Sequence, residues 1–316
     1  MSDFPYILNA ILPLYLMVGA GIILRYALGT GAAEARIVNR VCFYVFLPCM
    51  LFKNAYEADF AGIGSPWLYV WSVAGFVLTG IFGILYAKKT VPDLAKAAAF
   101  AHSAIRKNTS LLGIPLALRY LGEDKALPAI LMTTVLLPCM NIYGIVELSY
   151  FMNAGKSKKK ALLGVAKGFA TNPLIIALVL GFAANFLKVP VPDFLFSTVK
   201  GLAQAASPCA MVAIGMGFTF AGLRRNGKLV FQATFINIVL QPLFIVGIGV
   251  LLGFRGMDLT VLFLAWVVPC AANSAVISQS MGADGELSGE IVMTTTAFSM
   301  ITIILGLMLM KSTGLM

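Results

Sequence analysis

Ten apolar runs, separated by gaps too short to fold on their own, govern what this chain can become. They lie at roughly 5–25, 36–55, 66–87, 94–121, 124–152, 161–187, 195–222, 229–253, 258–281 and 285–311. An α-helix rises about 1.5 Å per residue, so about 20 apolar residues cross a hydrocarbon core of about 30 Å. Lipid offers no hydrogen bonds, and a spanning backbone must satisfy its polar groups internally. The runs lack the period-2 alternation of barrel strands. The expectation is an all-α integral membrane protein of ten transmembrane helices. Composition agrees: 60% of the 316 residues are hydrophobic and only 11% are charged, against about 25% charged in soluble domains. No polar stretch is left for a soluble domain.

The basic residues suggest an orientation. With the N-terminus outside, the inside gaps hold Arg25, Arg36, Arg40, Lys88, Lys89, Lys96, the run from Lys156 to Lys160, Lys167, Arg224, Arg225 and Lys228. The outside gaps hold half as many, and the last inside gap carries Asp284 and Glu286 instead. The positive-inside bias therefore places both termini on the non-cytoplasmic face of a plasma (inner) membrane. The net charge of +10 is spread over these gaps. It forms no continuous face of the kind nucleic acid would need. The start, Met-Ser-Asp-Phe-Pro, has neither a basic leader nor a small-residue cleavage site, so the first helix reads as retained. Cys42, Cys49, Cys139, Cys209 and Cys270 all lie in apolar runs without metal-ligand spacing and read as reduced packing residues.

The two halves repeat at an offset of 160. Pro13 meets Pro173, Pro48 meets Pro208, and Gly122 with Asp124 meets Gly282 with Asp284. Met132-Thr133-Thr134 meets Met293-Thr294-Thr295 one residue later. Five spans per half turn the second copy over, giving two inverted repeats, 1–155 and 161–316, joined by a cytoplasmic linker at 156–160.

Two runs in corresponding places break the apolar pattern. The fourth carries Arg106, Lys107 and Asn108 near its middle, then Gly113 and Pro115; the ninth carries Pro269, Cys270, Ala271 and Asn273. Paired interruptions of this kind point to a transport site. A broken helix presents backbone N–H groups with partial positive charge, which can hold an anion. A cation at the bilayer centre costs on the order of 3 kcal/mol or more and is usually functional. Successive helical residues point about 100° apart, so one of Arg106 and Lys107 is expected to face a substrate carboxylate; the alternative is that both snorkel to the surface. His102 is the lone histidine and reads as a packed residue with a proton-carrying alternative. Glu147 lies about one turn from the cytoplasmic end and reads as wet. Asn141 is a candidate ligand. Asn237 and Gln241 share a helix face and read as interhelical contacts. His102 with Ser103 does not make a catalytic pair, since adjacent helical residues do not face each other, and no cofactor or metal is implied. The chain reads as no enzyme.

The string "KNTSLLGIPLALRYLGED" resembles the fourth-helix signature of the auxin efflux carrier family, through Asn108-Thr109, Gly113-Ile114-Pro115-Leu116 and Leu121-Gly122. "VPCAANSAVISQSMGAD" and "FYVFLPCMLF" resemble that family's ninth and second helices. The resemblance covers the chain. It implies a fold shared with bile-acid and sodium–proton transporters, with helices 4 and 9 crossing near Asn108–Pro115 and Pro269–Asn273. Helices 1, 2, 6 and 7 would form a scaffold and helices 3–5 and 8–10 a moving unit, working by elevator-type alternating access. It also implies organic-anion substrates, either auxin-like acids or dicarboxylates such as malonate or malate. Asn108 matches the motif asparagine and takes a substrate role, with Thr109 beside it. Arg106-Lys107 before that asparagine departs from the family pattern and suggests a more anionic substrate. Gly113, Pro115 and Pro269 would keep the helices broken. The expected partners are a small organic anion and membrane lipid, with a homodimer left open and nucleic acid not expected. A ligand sensor on the same fold, without turnover, is the alternative.

Overall fold

The computed structural model describes residues 3–58, 65–122, 125–153, 170–217 and 220–315. The expected basic linker at 156–160 lies outside them. Among the described residues all regular structure is helical. The helices are α1 (Asp3–Ala27), α2 (Ala32–Val41), α3 (Leu47–Tyr56), α4 (Pro66–Thr90), α5 (Leu94–Ile105), α6 (Ile114–Leu121) and α7 (Leu127–Met152). They continue with α8 (Pro173–Phe186), α9 (Asp193–Gly217), α10 (Phe220–Phe235), α11 (Gln241–Leu251), α12 (Gly256–Trp266), α13 (Ser274–Ser280) and α14 (Gly285–Ser312). Among the described residues five helical stretches are long and apolar enough to cross a bilayer outright: Ala33–Tyr56, Pro66–Thr90, Leu127–Met152, Arg224–Leu251 and Gly285–Ser312.

Three joints share one construction. Wide π-type turns at Cys42–Phe46, Thr109–Gly113 and Ile236–Leu240 run into α3, α6 and α11. Each is followed, two residues on, by a proline: Pro48, Pro115 and Pro242. Proline has no N–H to donate, and its ring collides with the carbonyl four residues earlier. One extra residue in the preceding turn moves that carbonyl away, so the chain stays helical. Proline therefore widens these spans without breaking them.

Close packing depends on glycine where helices cross. A Cβ on Gly21 of α1 would overlap the Val212 carbonyl of α9, and one on Gly215 of α9 would overlap the Val18 carbonyl of α1. Small residues let backbones meet where no hydrophobic gain drives association. Trp266 Nε1 donates to Ser72 Oγ at 2.7 Å, tying α12 to α4, and Trp71 Nε1 donates to the Ile245 carbonyl at 2.9 Å.

Both ends of the bundle are tied by charged side chains. Arg25 bonds the Met216 carbonyl, Lys96 donates to Asn226 Oδ1 at 2.9 Å, and Arg225 pairs with Glu286 at 3.1 Å at one end. Asp284, which caps α14, also donates its backbone N–H to the Ala95 carbonyl there. At the other end Lys53 and Lys200 converge on Glu57 at 2.9 and 3.0 Å. Burial raises the Glu57 carboxyl, but those two ammoniums outweigh it and hold the group below the usual carboxylate range.

Two apolar clusters form the core. α6, with Leu112 before it, joins the cluster around Trp266 and Phe76, whereas α5 up to Ala104 joins the one around Phe100 and Leu148. α12 and α13 divide similarly: Leu262 and Trp266 lie in the first cluster, Val276 and Ile277 in the second. The joints of the two broken spans fall at the seam.

Candidate functional site

At that seam the backbone leaves the helix twice. α5 ends at Ile105, and residues 106–108 are not helical: Arg106 is extended, with φ −73°, ψ 141°, and Asn108 turns the chain, with φ −89°, ψ 58°. The second gap spans residues 267–273. The gaps touch through their backbones, the Asn108 N–H donating to the Pro269 carbonyl at 2.8 Å. The first break thus falls at Arg106–Asn108. Gly113 and Pro115, expected to hold it open, lie in helix: Gly113 has φ −64°, ψ −49°, and Pro115 occupies the first turn of α6. Pro269, Cys270 and Ala271 lie inside the second gap.

The non-helical backbone changes how the two cations point. The 100° rule applies only within a helix, so the expectation that one of them faces the site does not hold: Arg106 and Lys107 line the same small pocket. Both are buried, at 2% and 1% exposure, which rules out snorkelling. Arg106 Nη2 donates to Asn141 Oδ1 at 2.7 Å and to Asn273 Oδ1 at 3.3 Å, bringing two further candidates together from α7 and the second gap. Lys107 Nζ donates to Asn237 Oδ1 at 3.0 Å and to the Asn237 carbonyl.

Asn237 and Gln241 are more than packing contacts. Asn237 Nδ2 donates to the carbonyls of Ser103 and Arg106, and Gln241 Nε2 to that of Ile105 at 3.1 Å. The break removes the helical N–H partners of these carbonyls, and an orphaned buried carbonyl is costly. The two amides replace the missing donors, and Asn237 anchors Lys107 besides. Their spacing of four in an apolar helix was the signal for this role.

Several polar atoms are buried without a partner. They include Arg106 Nε and Nη1, Asn108 Nδ2 and Thr109 Oγ1. The pocket that Arg106, Lys107, Asn108, Asn273 and Met140 line has a volume of about 20 Å³, room for about one water. A wider cavity of about 480 Å³ opens beside it, walled by Arg25, Asn39, Gln279, Glu290 and Ala275. Ala275, in the wall of this vestibule, is two residues along the chain from Asn273 in the wall of the small pocket. Glu147 is not wet: its side chain is wholly buried, with Oε2 3.5 Å from His102 Nδ1. Chemically, the pocket offers two basic side chains, the Asn108 amide and the Ser110 hydroxyl, a donor set for a small anion rather than for a metal; Thr109, expected beside Asn108, is not among the residues that line it.

Known proteins resemble the chain over nearly its whole length. A Methanothermobacter thermautotrophicus protein named "Uncharacterized transporter" is 26% identical over 298 residues, covering 93% of this chain and 95% of that one. A Rhizobium meliloti protein named "Putative malonate transporter" is 28% identical over 295 residues, 88% of each. The sodium–proton antiporter MjNhaP1 of Methanocaldococcus jannaschii superposes with a TM-score of 0.61 at 12% identity, over 95% of this chain and 98% of that one, a likeness of fold alone. The family described as membrane transport protein matches residues 6–307, and with transporter-named relatives and an antiporter fold around it the chain is a multi-pass transporter and no enzyme; it belongs to that membrane transport family, of auxin efflux carrier type.

Proposed function

We propose that the chain is a secondary transporter of small organic anions, with dicarboxylates of malonate or malate size as its preferred substrates. The observation that supports this reading is the buried pair Arg106–Lys107 on one pocket, with Arg106 Nε and Asn108 Nδ2 still lacking acceptors. A carboxylate supplies those acceptors. Two cations in a low-dielectric site favour a dianion over an auxin-like monoanion, because each unpaired charge there is costly. The relative named for malonate is in keeping with this.

In this reading the ten spans form two inverted five-helix repeats, both termini lie outside, and the vestibule opens to the cytoplasm. The pocket's 20 Å³ cannot admit malonate, so substrate enters only when the seam opens. α4–α7 and α10–α14 would move as one unit against α1–α3, α8 and α9, carrying the crossing from one side of the membrane to the other.

The test is charge movement by purified protein in liposomes across mono- and dicarboxylates. A saturable malonate current is expected, and Asn108→Ala should abolish it while the variant keeps its melting temperature. Normal uptake by folded Asn108→Ala would refute the assigned site. Malonate binding without current would favour a ligand sensor.

A further inference from the structure

His102 and Glu147 have no role in the pocket's own chemistry, yet they are buried beside it. Both side chains are inaccessible, and Nδ1 lies 3.5 Å from Oε2, within ion-pair range. Among the described residues neither ring nitrogen and neither carboxylate oxygen has a hydrogen-bond partner. Such a group deep in a membrane protein costs several kcal/mol, so a purely structural pair would be expected to be better satisfied. The link to the pocket is Gly144 of α7. A Cβ there would lie 3.0 Å from His102 Nδ1 and 3.3 Å from Arg106 Nη1. Arg106 therefore has two sides: Nη2 reaches Asn141 and Asn273 at the pocket, and Nη1 lies over the backbone beside the histidine.

Three of the surrounding charged groups have partners of their own. Lys107 is held by Asn237, Lys88 of α4 bonds the Tyr150 hydroxyl, and Glu290 of α14 accepts from Asn226. Tyr143 of α7 and Cys270 of the second gap complete the set. In this proposal Glu147 is the carboxylate that offsets Arg106 while the pocket is empty. A substrate carboxylate arriving from the other side shares the same guanidinium. With a dianion, the two cations then face three negative charges in a medium that screens little.

We propose that His102 and Glu147 form a proton-binding site that is loaded when a dicarboxylate occupies the pocket, so that one proton travels with each substrate. The proton comes from water on the side open to the pocket and sits between Nδ1 and Oε2. It is released when the substrate leaves, and no bond to substrate forms or breaks. This inference rests on the carboxylate reading above.

Malonate is added to the purified protein in weakly buffered solution with a pH-indicating dye, and binding is measured in parallel by calorimetry. Wild type should take up about one proton per malonate bound, and over the pH range in which that uptake occurs its Kd should rise with pH by up to about tenfold per unit. In Glu147→Gln and His102→Gln the uptake should vanish and the pH dependence flatten. Malonate bound by wild type with no proton uptake and a flat Kd would overturn the proton site while leaving the carrier reading intact, and that comparison needs no variant to fold. Unchanged uptake in folded Glu147→Gln would also overturn it. No malonate binding at all would defeat the carboxylate reading itself, and the proton site with it.

Discussion

The two helix breaks meet at one hydrogen bond yet are built by different means. The first, at Arg106–Asn108, carries two buried cations, and amides from neighbouring helices hold it: Asn141 on Arg106, Asn237 on Lys107, and Asn237 with Gln241 on the freed carbonyls. The second, at 267–273, carries no charge. The Cys270 N–H reaches Thr295 Oγ1 at 3.2 Å, its thiol lies 3.4 Å from Ser274 Oγ, and the residues around them are Val, Ala and Pro. A gap that carries charge needs dedicated partners, because each unmet group is expensive in lipid. A gap of small neutral residues needs little more than a backbone turn and close packing. In the proposed carrier the first break would hold the chemistry, with Ala271, Ala272 and Asn273 of the second lining the same pocket.

The sharpest way to break this comparison is to remove the principal support on each side. Asn237→Leu leaves Lys107 with only a backbone carbonyl and orphans the carbonyls of Ser103 and Arg106. The expected loss is about 3 kcal/mol of stability. Thr295→Val removes one neutral hydrogen bond from the second break and should cost about 1 kcal/mol. Thermal unfolding in detergent reads both. Equal losses would show that the charged break is no more dependent on its partners than the neutral one.

A smaller effect, on binding rather than on folding, should follow from neutralising the first break. Arg106→Gln keeps an amide in the pocket but deletes a charge-assisted contact worth about 1.5–3 kcal/mol, a loss of about 10- to 100-fold in malonate affinity. Some stability should be lost, because Glu147, Asn141 and Asn273 lose the cation they face, but less than in Asn237→Leu, since the desolvation cost of the guanidinium goes with it. Titration calorimetry across mono- and dicarboxylates checks it. The loss should be greater for the dianion than for a monoanion of similar size, and a uniform loss would argue that Arg106 shapes the pocket without reading charge.

Much of this arrangement was legible in the residues, and what was not has a physical reason. The apolar runs exposed the helical class because lipid leaves few options for backbone, and the polar triplet Arg106-Lys107-Asn108 marked the first interruption. Its direction was misread because helical geometry was carried through residues that are not helical, so Arg106 and Lys107 both reach a pocket that the 100° rule would divide between them. Glu147 read as wet from its place near a run's end, and His102 read as packing; their pairing depends on how α5 and α7 meet over Gly144, which spacing within one segment does not encode. Asn237 and Gln241 were recognised as interhelical. What they bond to required knowing where α5 stops.

Pro115 offers the finest test of where that stop comes from. Its sequence context, Gly-Ile-Pro, reads as a helix breaker, but the structure puts it in the first turn of α6, behind the wide turn at Thr109–Gly113. The non-helical residues lie seven to nine positions earlier and are fixed by Pro269, Asn237 and Gln241. Pro115→Ala restores an N–H where the widened turn already tolerates its loss, so stability should change by less than about 1 kcal/mol. Malonate affinity should stay within about twofold, a shift of under about 0.5 kcal/mol. Calorimetry and a melting curve on the same preparation measure both. A loss beyond about tenfold with the protein still folded would mean that the proline sets the register of the non-helical residues through the wide turn. The first break would then be imposed from its own chain, with the amides of the neighbouring helices adapting to it.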